Sequence, residues 1–298
     1  MFRTVFQPAR RAFVGLVSVL ALALGLAAPA VAEPALWAIK DKDSTIYLFG
    51  TIHVLKPATQ WRSPRIDGAL KASDDLVVEV LGADDPAVMQ PLVMQYGLDR
   101  TTPLSQKLSP EDLKRAQDLA QAAGLPAQAL DAMRPWLASI SLAMLPVIKA
   151  GYDPRSGVEQ VLTAQMKAAG KPASSLETAE QQIRFFADMP TPVEVEMLKA
   201  TLDDAEAGPG KIDSMVAAWA AGDITALEDQ FITEMKTKYA DVYGVLLTDR
   251  NRDWANQLKT KLDGSGVSFV AVGAGHLVGP DSVQAQLAAL GIQTERVN

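Results

Sequence analysis

The chain has 298 residues, a formal net charge of −7, two histidines and no cysteine. Without cysteine, disulfides, thiol nucleophiles, iron–sulfur clusters, Cys-ligated zinc and lipoprotein anchoring are excluded. The acidic balance argues against nucleic-acid binding, so any chemistry must run on histidine, carboxylates, hydroxyls and amines.

Residues 1–32 read as a secretory signal peptide, outside the fold. Arg3, Arg10 and Arg11 form a positive segment without an acid, an apolar run extends from Phe13 to Ala28, and Pro29-Ala30-Val31-Ala32 offers an A-x-A cleavage site. The run is short for a membrane span, and an uncleaved anchor is the alternative. Cleavage after Ala32 is expected to leave a periplasmic or secreted protein with no stable span. Arg10-Arg11 leaves Sec and twin-arginine export both open.

Residues 33–83 read as sheet-forming. Ala35 to Ile39 is a short apolar strand, Asp41-Lys42-Asp43-Ser44 is turn chemistry, and Thr45 to Phe49 is rich in β-branched and aromatic residues. That strand runs into Gly50-Thr51-Ile52-His53. A short helix follows from Pro64 to Ala72, then a third strand from Leu76 to Val80 carrying Glu79. Residues 84–240 read as helical, with no strong strand. Ser109-Pro110-Glu111-Asp112 is a helix start, and Pro135–Lys149, Val158–Ala169, Ala179–Ala187, Val193–Ala205 and Ile224–Tyr239 have helical apolar spacing. Residues 241–298 return to sheet-and-helix grammar. One helix is predicted from Tyr243 to Leu262, a buried strand from Val267 to Val272 running into Gly273-Ala274-Gly275-His276, a helix from Pro280 to Leu290 and a closing strand from Ile292 to Val297. The expected fold is α/β: a mixed sheet built from both ends of the chain, with flanking helices and a large helical middle.

Each histidine ends a Gly-x-x-His that directly follows an apolar strand. Ligands of α/β sheets sit outside the carboxyl ends of strands, and glycine there permits a sharp turn and close approach. Imidazole is both a metal ligand and a general base near neutral pH, so His53 and His276 are candidate ligands converging on one point. Glu79 is the candidate third ligand or base, because a charge in Leu76-Val77-Val78-Glu79-Val80 needs pairing or a metal; an outward-facing residue on a half-exposed strand is the alternative. Arg250 shares a helix face with Trp254 and could clamp an anion, or lie on a solvated surface. Gly273 to Gly279 also resembles a dinucleotide-binding turn, with Glu295 at a suitable distance, but too little sequence follows for the rest of such a sheet.

Taken together, these segments resemble the TraB/GumN family, which includes the TIKI proteins. The resemblance runs from Leu36-Trp37 and Tyr47 to Val54, through Leu76 to Glu79, Arg134-Pro135-Trp136, Gly157-Val158-Glu159, Gly170-Lys171-Pro172, Leu176-Glu177-Thr178 and Gln182, to Arg250-Asn251, Trp254, Val272 to Leu277 and Gly291 to Val297. It implies a fold like the erythromycin-esterase and ChaN proteins. It also implies a divalent-metal protease site using His53, His276 and Glu79, with Arg250 and Asn251 as a polar pair beside it. Glu159 stands where the family usually has Asp, and Ser282 where it usually has glycine.

The function expected from this resemblance is a metal-dependent hydrolase of the cell envelope, using Mn, Co or Zn and acting on a peptide or other small substrate. Catalysis would rest on Glu79, Arg250 and Asn251. The alternatives are a non-catalytic protein holding a peptide, metal or haem in the same pocket, and a metal-free site using the histidines as acid and base.

Overall fold

The structure, a computed structural model, describes residues 33–122 and 124–297. Residues 1–32, where the sequence leads to the expectation of a signal peptide, lie outside the described residues. The strands are β1 (Leu36–Lys40), β2 (Ser44–Thr51), β3 (Asp75–Val80), β4 (Ala173–Glu177), β5 (Gly266–Gly273) and β6 (Glu295–Arg296). They form one six-stranded sheet in the order β4-β3-β5-β2-β1-β6. The β1–β2 hairpin turns at Asp41, whose Oδ1 accepts from the Asp43 and Ser44 amides at 3.0 and 2.7 Å. Strands β4, β3, β5 and β2 run parallel, so their carboxyl ends open at one edge of the molecule; β1 and β6 are antiparallel additions.

The helices are α1 (Pro64–Ala72), α2 (Pro86–Tyr96), α3 (Pro110–Ala122), α4 (Ala127–Asp131), α5 (Pro135–Lys149), α6 (Val158–Ala168), α7 (Ala179–Ala187), α8 (Thr191–Ala207), α9 (Gly210–Ala220), α10 (Ile224–Leu227), α11 (Thr233–Lys238), α12 (Ala240–Tyr243), α13 (Asp249–Leu262) and α14 (Val283–Ala289). Local chemistry sets several starts. Ser63 caps α1 by accepting from the Ile66 amide, and Ser109 accepts from the Asp112 amide at the start of α3. Thr178 and Gln181 form a capping box that turns the chain from β4 straight into α7.

Three expectations are corrected. The middle segment is not free of strands: β4 adds to the sheet beside β3. Its sequence, ASSLE, contains one large apolar residue, so it lacks the alternation or apolar run that marks a strand, and pairing with β3 makes it one. The closing strand is confined to Glu295–Arg296, opposite Ala38 and Trp37. The helix expected from Tyr243 runs from α12 into α13 through a π-helical turn at Gly244–Thr248; a second π turn, Glu228–Ile232, joins α10 to α11.

Alternation along the strands divides the apolar residues between two cores. Leu76, Val78, Phe49, Phe269 and Ala271 face a core completed by α1, α6 and α9. Val77, Val270, Val272, Ile46 and Leu48 face α13 and α14. The first core is aromatic: Phe49 lies 5.7 Å from Phe269 and 5.9 Å from Trp61, and Trp61 lies 6.3 Å from Trp219, ring centre to ring centre. Separate clusters hold α3, α4, α5 and α8 together and pack α7 on α5. Among the described residues no helix is long and apolar enough to cross a membrane.

Phe269 is completely buried between Phe49 and Tyr47. Phe269→Ala is expected to lower unfolding stability by about 3–5 kcal/mol in urea titrations; a loss below about 1 kcal/mol would contradict the packing described.

Candidate functional site

The carboxyl ends of the four parallel strands each deliver one polar side chain. In the parallel pairing of β2 with β5, Gly50 lies opposite Val272 and Thr51 opposite Gly273. The two Gly-x-x-His turns therefore leave neighbouring strands at nearly one level. Gly50 has no side chain where the turns meet: a Cβ there would stand 3.1 Å from Ala274 Cα. The Trp219 indole donates to the Gly50 carbonyl at 2.8 Å and pins the first turn. Gly273 lies at the centre of the cluster. A Cβ on it would meet Glu79 Oε1 at 3.0 Å, His53 Nε2 at 3.4 Å and His276 Cδ2 at 3.6 Å. Glycine there leaves room for all three side chains.

Glu79 sits on the strand face that looks toward α13, and Oε1 accepts from the Gly273 amide at 2.6 Å. The Arg250 guanidinium reaches it from α13. Nη2 donates to Glu79 Oε2 at 2.7 Å and to Glu177 Oε2 at 2.9 Å, and Nε donates to Glu177 Oε1 at 2.8 Å. Nη1 donates to the Leu246 carbonyl and to His276 Nε2, at 3.0 and 3.1 Å. Every N–H group of the fork thus has a partner, with only 8% of the side chain exposed. Trp254 flanks the group: Arg250 Cζ lies 4.7 Å from its ring centre, and its indole N–H donates to Glu177 at 2.9 Å.

Burial opposes the charge on Glu79, but His276, His53 and Arg250, together with the Gly273 amide, hold its carboxyl at about 2. His276 is itself driven down to about 3 by burial, so near neutral pH the pull on Glu79 comes from Arg250, His53 and the amide. Burial also pushes Glu177 up, opposed by Arg250 and Trp254; the two-pronged geometry is that of a carboxylate.

The tautomer of His276 follows from its neighbours. Asn251 Nδ2 donates to the Asp281 carbonyl at 2.8 Å, which turns Oδ1 toward the ring, 2.6 Å from His276 Nδ1. Nδ1 therefore carries the hydrogen and Nε2 is a lone pair. His53 is the opposite case. Its side chain is 65% exposed. Glu159 Oε1 lies 2.8 Å from His53 Nδ1, and that carboxylate raises the ring to about 9. Thr51 Oγ1 donates to the same carboxylate.

The structure thus brings together all five residues singled out in the sequence: His53, Glu79, Arg250, Asn251 and His276. Glu159 and Glu177 were quoted from the sequence without a role. Glu159 is brought beside His53 because the Val158 amide donates to the Ile52 carbonyl at 3.0 Å, docking the start of α6 on the first turn. Gly157 makes that docking possible, since a Cβ there would run into the His53 carbonyl oxygen. Neither glutamate carries a sequence signal of its own: Glu159 is an acid in a first helical turn, and Glu177 ends a strand that only pairing with β3 creates.

Among the described residues no three His, Cys, Asp or Glu side chains are already drawn into a metal-holding arrangement. His276 Nε2 stands 3.8 Å from Glu79 Oε1, and Arg250 Nη1 occupies its lone pair. The donor chemistry nevertheless fits an ion once Arg250 releases that nitrogen. Each Nδ1 is held by an oxygen acceptor, the arrangement that fixes metal-binding imidazoles; His53 Nε2, the His276 ring edge and the Glu79 carboxylate lie around Gly273, and His276 Nε2 is 3.8 Å from that carboxylate.

A mixed sheet with a polar cluster across the carboxyl ends of its parallel strands defines an α/β protein, with that cluster placed where ligands of such sheets are bound. The TraB/PrgY/gumN family profile matches residues 35–296, and the chain belongs to that family. It is similar to the uncharacterized protein YbaP of Escherichia coli (strain K12), at 26% identity over 81% of this chain and 87% of the relative, and equally to YbaP of Shigella flexneri. It is also similar to an uncharacterized protein of Treponema pallidum (strain Nichols), at 21% identity over 84% of this chain and 79% of the relative. No solved structure matches the chain.

Replacing Arg250 by leucine leaves two buried carboxylates without their cation. Arg250→Leu is expected to destabilise the fold by about 3–5 kcal/mol in denaturant titrations at neutral pH, with part of the loss recovered when Glu177→Gln is added. Unchanged stability in Arg250→Leu would contradict the buried network.

Proposed function

We propose that the protein is a divalent-metal-dependent hydrolase of the cell envelope that acts on a peptide or amide. The observation that carries this reading is the grouping of His53 Nε2, the His276 ring edge and the Glu79 carboxylate around the bare Cα of Gly273, with His276 Nε2 3.8 Å from Glu79 Oε1. His53, His276 and Glu79 would hold the ion: Mn, Co or Zn. Such an ion, when bound, polarises a scissile carbonyl and acidifies water.

The chain's own residues divide the remaining work. Glu79, held low by Arg250, His53 and the Gly273 amide, would supply a fixed negative charge to the ion. Asn251 is a positioning residue that keeps the His276 lone pair on Nε2, as Glu159 directs His53. Arg250 Nη1, once released from His276, is free to donate to a substrate oxygen that gains charge. The exposed edge of His53 leaves the cluster open to solvent on that side. The Arg-rich, apolar, A-x-A-ended segment 1–32 supports export to the periplasm or beyond.

Metal titration of the purified mature protein, coupled to a peptide-cleavage screen with and without EDTA, tests the proposal. One ion per chain is expected, lost in His53→Ala and His276→Ala and weakened about 10–100-fold in Asn251→Ala. Because His53 is protonated below about 9, the ion must displace that proton. Affinity should therefore rise about tenfold per pH unit toward that value. Metal content indifferent to both histidine substitutions would sink the metal role. Stoichiometric metal without EDTA-sensitive cleavage would replace the hydrolase with a binding protein.

A further inference from the structure

A cavity of about 420 Å³ lies between α5, α8, α9 and α11, in the helical segment beside the strand-end site. Its wall is largely apolar and includes three methionines from three different helices: Met197, Met215 and Met235. Thioether side chains adapt to flexible apolar groups better than branched ones do.

The charges around the cavity are matched to one another. Lys211 donates to Asp204 and Glu234, Lys238 pairs with Glu234, and Asp203 pairs with Arg115. Such a rim gives an ionic headgroup no unbalanced partner, and so favours an uncharged occupant.

The cavity shares its inner wall with the site. Phe231, in the π turn Glu228–Ile232, lines the cavity, and its ring covers Gly275 so closely that a Cβ there would run into it. Gly275 immediately precedes His276. Leu246, in the π turn Gly244–Thr248, lines the same cavity and offers its carbonyl to Arg250 Nη1 at 3.0 Å. Both irregular turns therefore touch the cavity on one side and the polar cluster on the other, the position in which π turns are often kept for function.

We propose that this cavity is the pocket that receives an uncharged, flexible apolar group of the molecule whose polar portion meets the strand-end cluster. The inference rests on the hydrolase reading for what happens to the ligand, and not for its being held. Apolar lining, matched rim charges and a volume suited to a small ligand group define what it accepts. Phe231 and Leu246 make it part of the same binding site.

The test uses the mature protein and the uncharged fluorescent probe N-phenyl-1-naphthylamine. Saturable binding of one probe per chain is expected. Ala200→Trp, which fills the cavity from α8, should weaken it at least tenfold with the unfolding transition unchanged. Ala143→Phe, which enters from α5, is read in the same way and decides the matter if Ala200→Trp fails to fold. Bound probe should also shift the imidazole NMR signals of His276 in the absence of metal. Absence of saturable binding, or equal affinity in the folded filled variants, would overturn the pocket. Binding that leaves His276 unmoved would overturn its link to the site. These readouts need no turnover, so a protein that hydrolyses nothing can still bear out the pocket. If cleavage is found, filling should lower kcat/KM for substrates with a long apolar group at least tenfold and leave short ones unchanged.

Discussion

A guanidinium and two carboxylates removed from water are tolerated only if each charge is compensated and each donor has an acceptor. Arg250 meets that condition by bridging β3, β4 and α13: Nε and Nη2 grip Glu177, and Nη2 also donates to Glu79. The net gain of such a network over apolar packing is small, while breaking it is costly. In this network Glu79 is turned toward Gly273 and Arg250 toward His276. The same geometry that satisfies the buried charges sets out the polar cluster.

Backbone register does the rest. Parallel pairing of β2 with β5 brings Gly50 level with Val272, so two turns of the same form leave adjacent strands together. Glycine at positions 50, 157 and 273 removes the Cβ atoms that would hold the turns, α6 and the side chains apart. The two histidines then acquire different characters from their surroundings. Burial keeps His276 neutral, whereas the exposed ring of His53 beside Glu159 stays charged. Metal binding, if it occurs, must discharge one ring and free the other from Arg250.

Much of this was legible in the sequence because it rests on local signals. A rare residue repeated in one context marked His53 and His276, and a lone charge in an apolar strand marked Glu79. The four-residue spacing of Arg250 and Trp254 put them on one helix face, where they now stack. What was not legible depends on tertiary pairing. β4 has one large apolar residue and becomes a strand through β3, so Glu177 could not be placed at a strand end. Glu159 looks like any acid in a first helical turn, where acids are favoured by the helix dipole, and only the docking of α6 on the Ile52 carbonyl reveals its partner. The π turns leave no periodic signal that separates them from the helices they interrupt.

With only two histidines in the chain, nitrogen-15 NMR of the imidazoles reads the centre of this account directly. In the metal-free protein between pH 5 and 8, His276 should remain neutral with its hydrogen on Nδ1, and His53 should remain protonated. A His276 ring that titrates near its ordinary value of 6.5, or carries its hydrogen on Nε2, would contradict the arrangement of Arg250, Asn251 and Glu79 on which the proposed site is built.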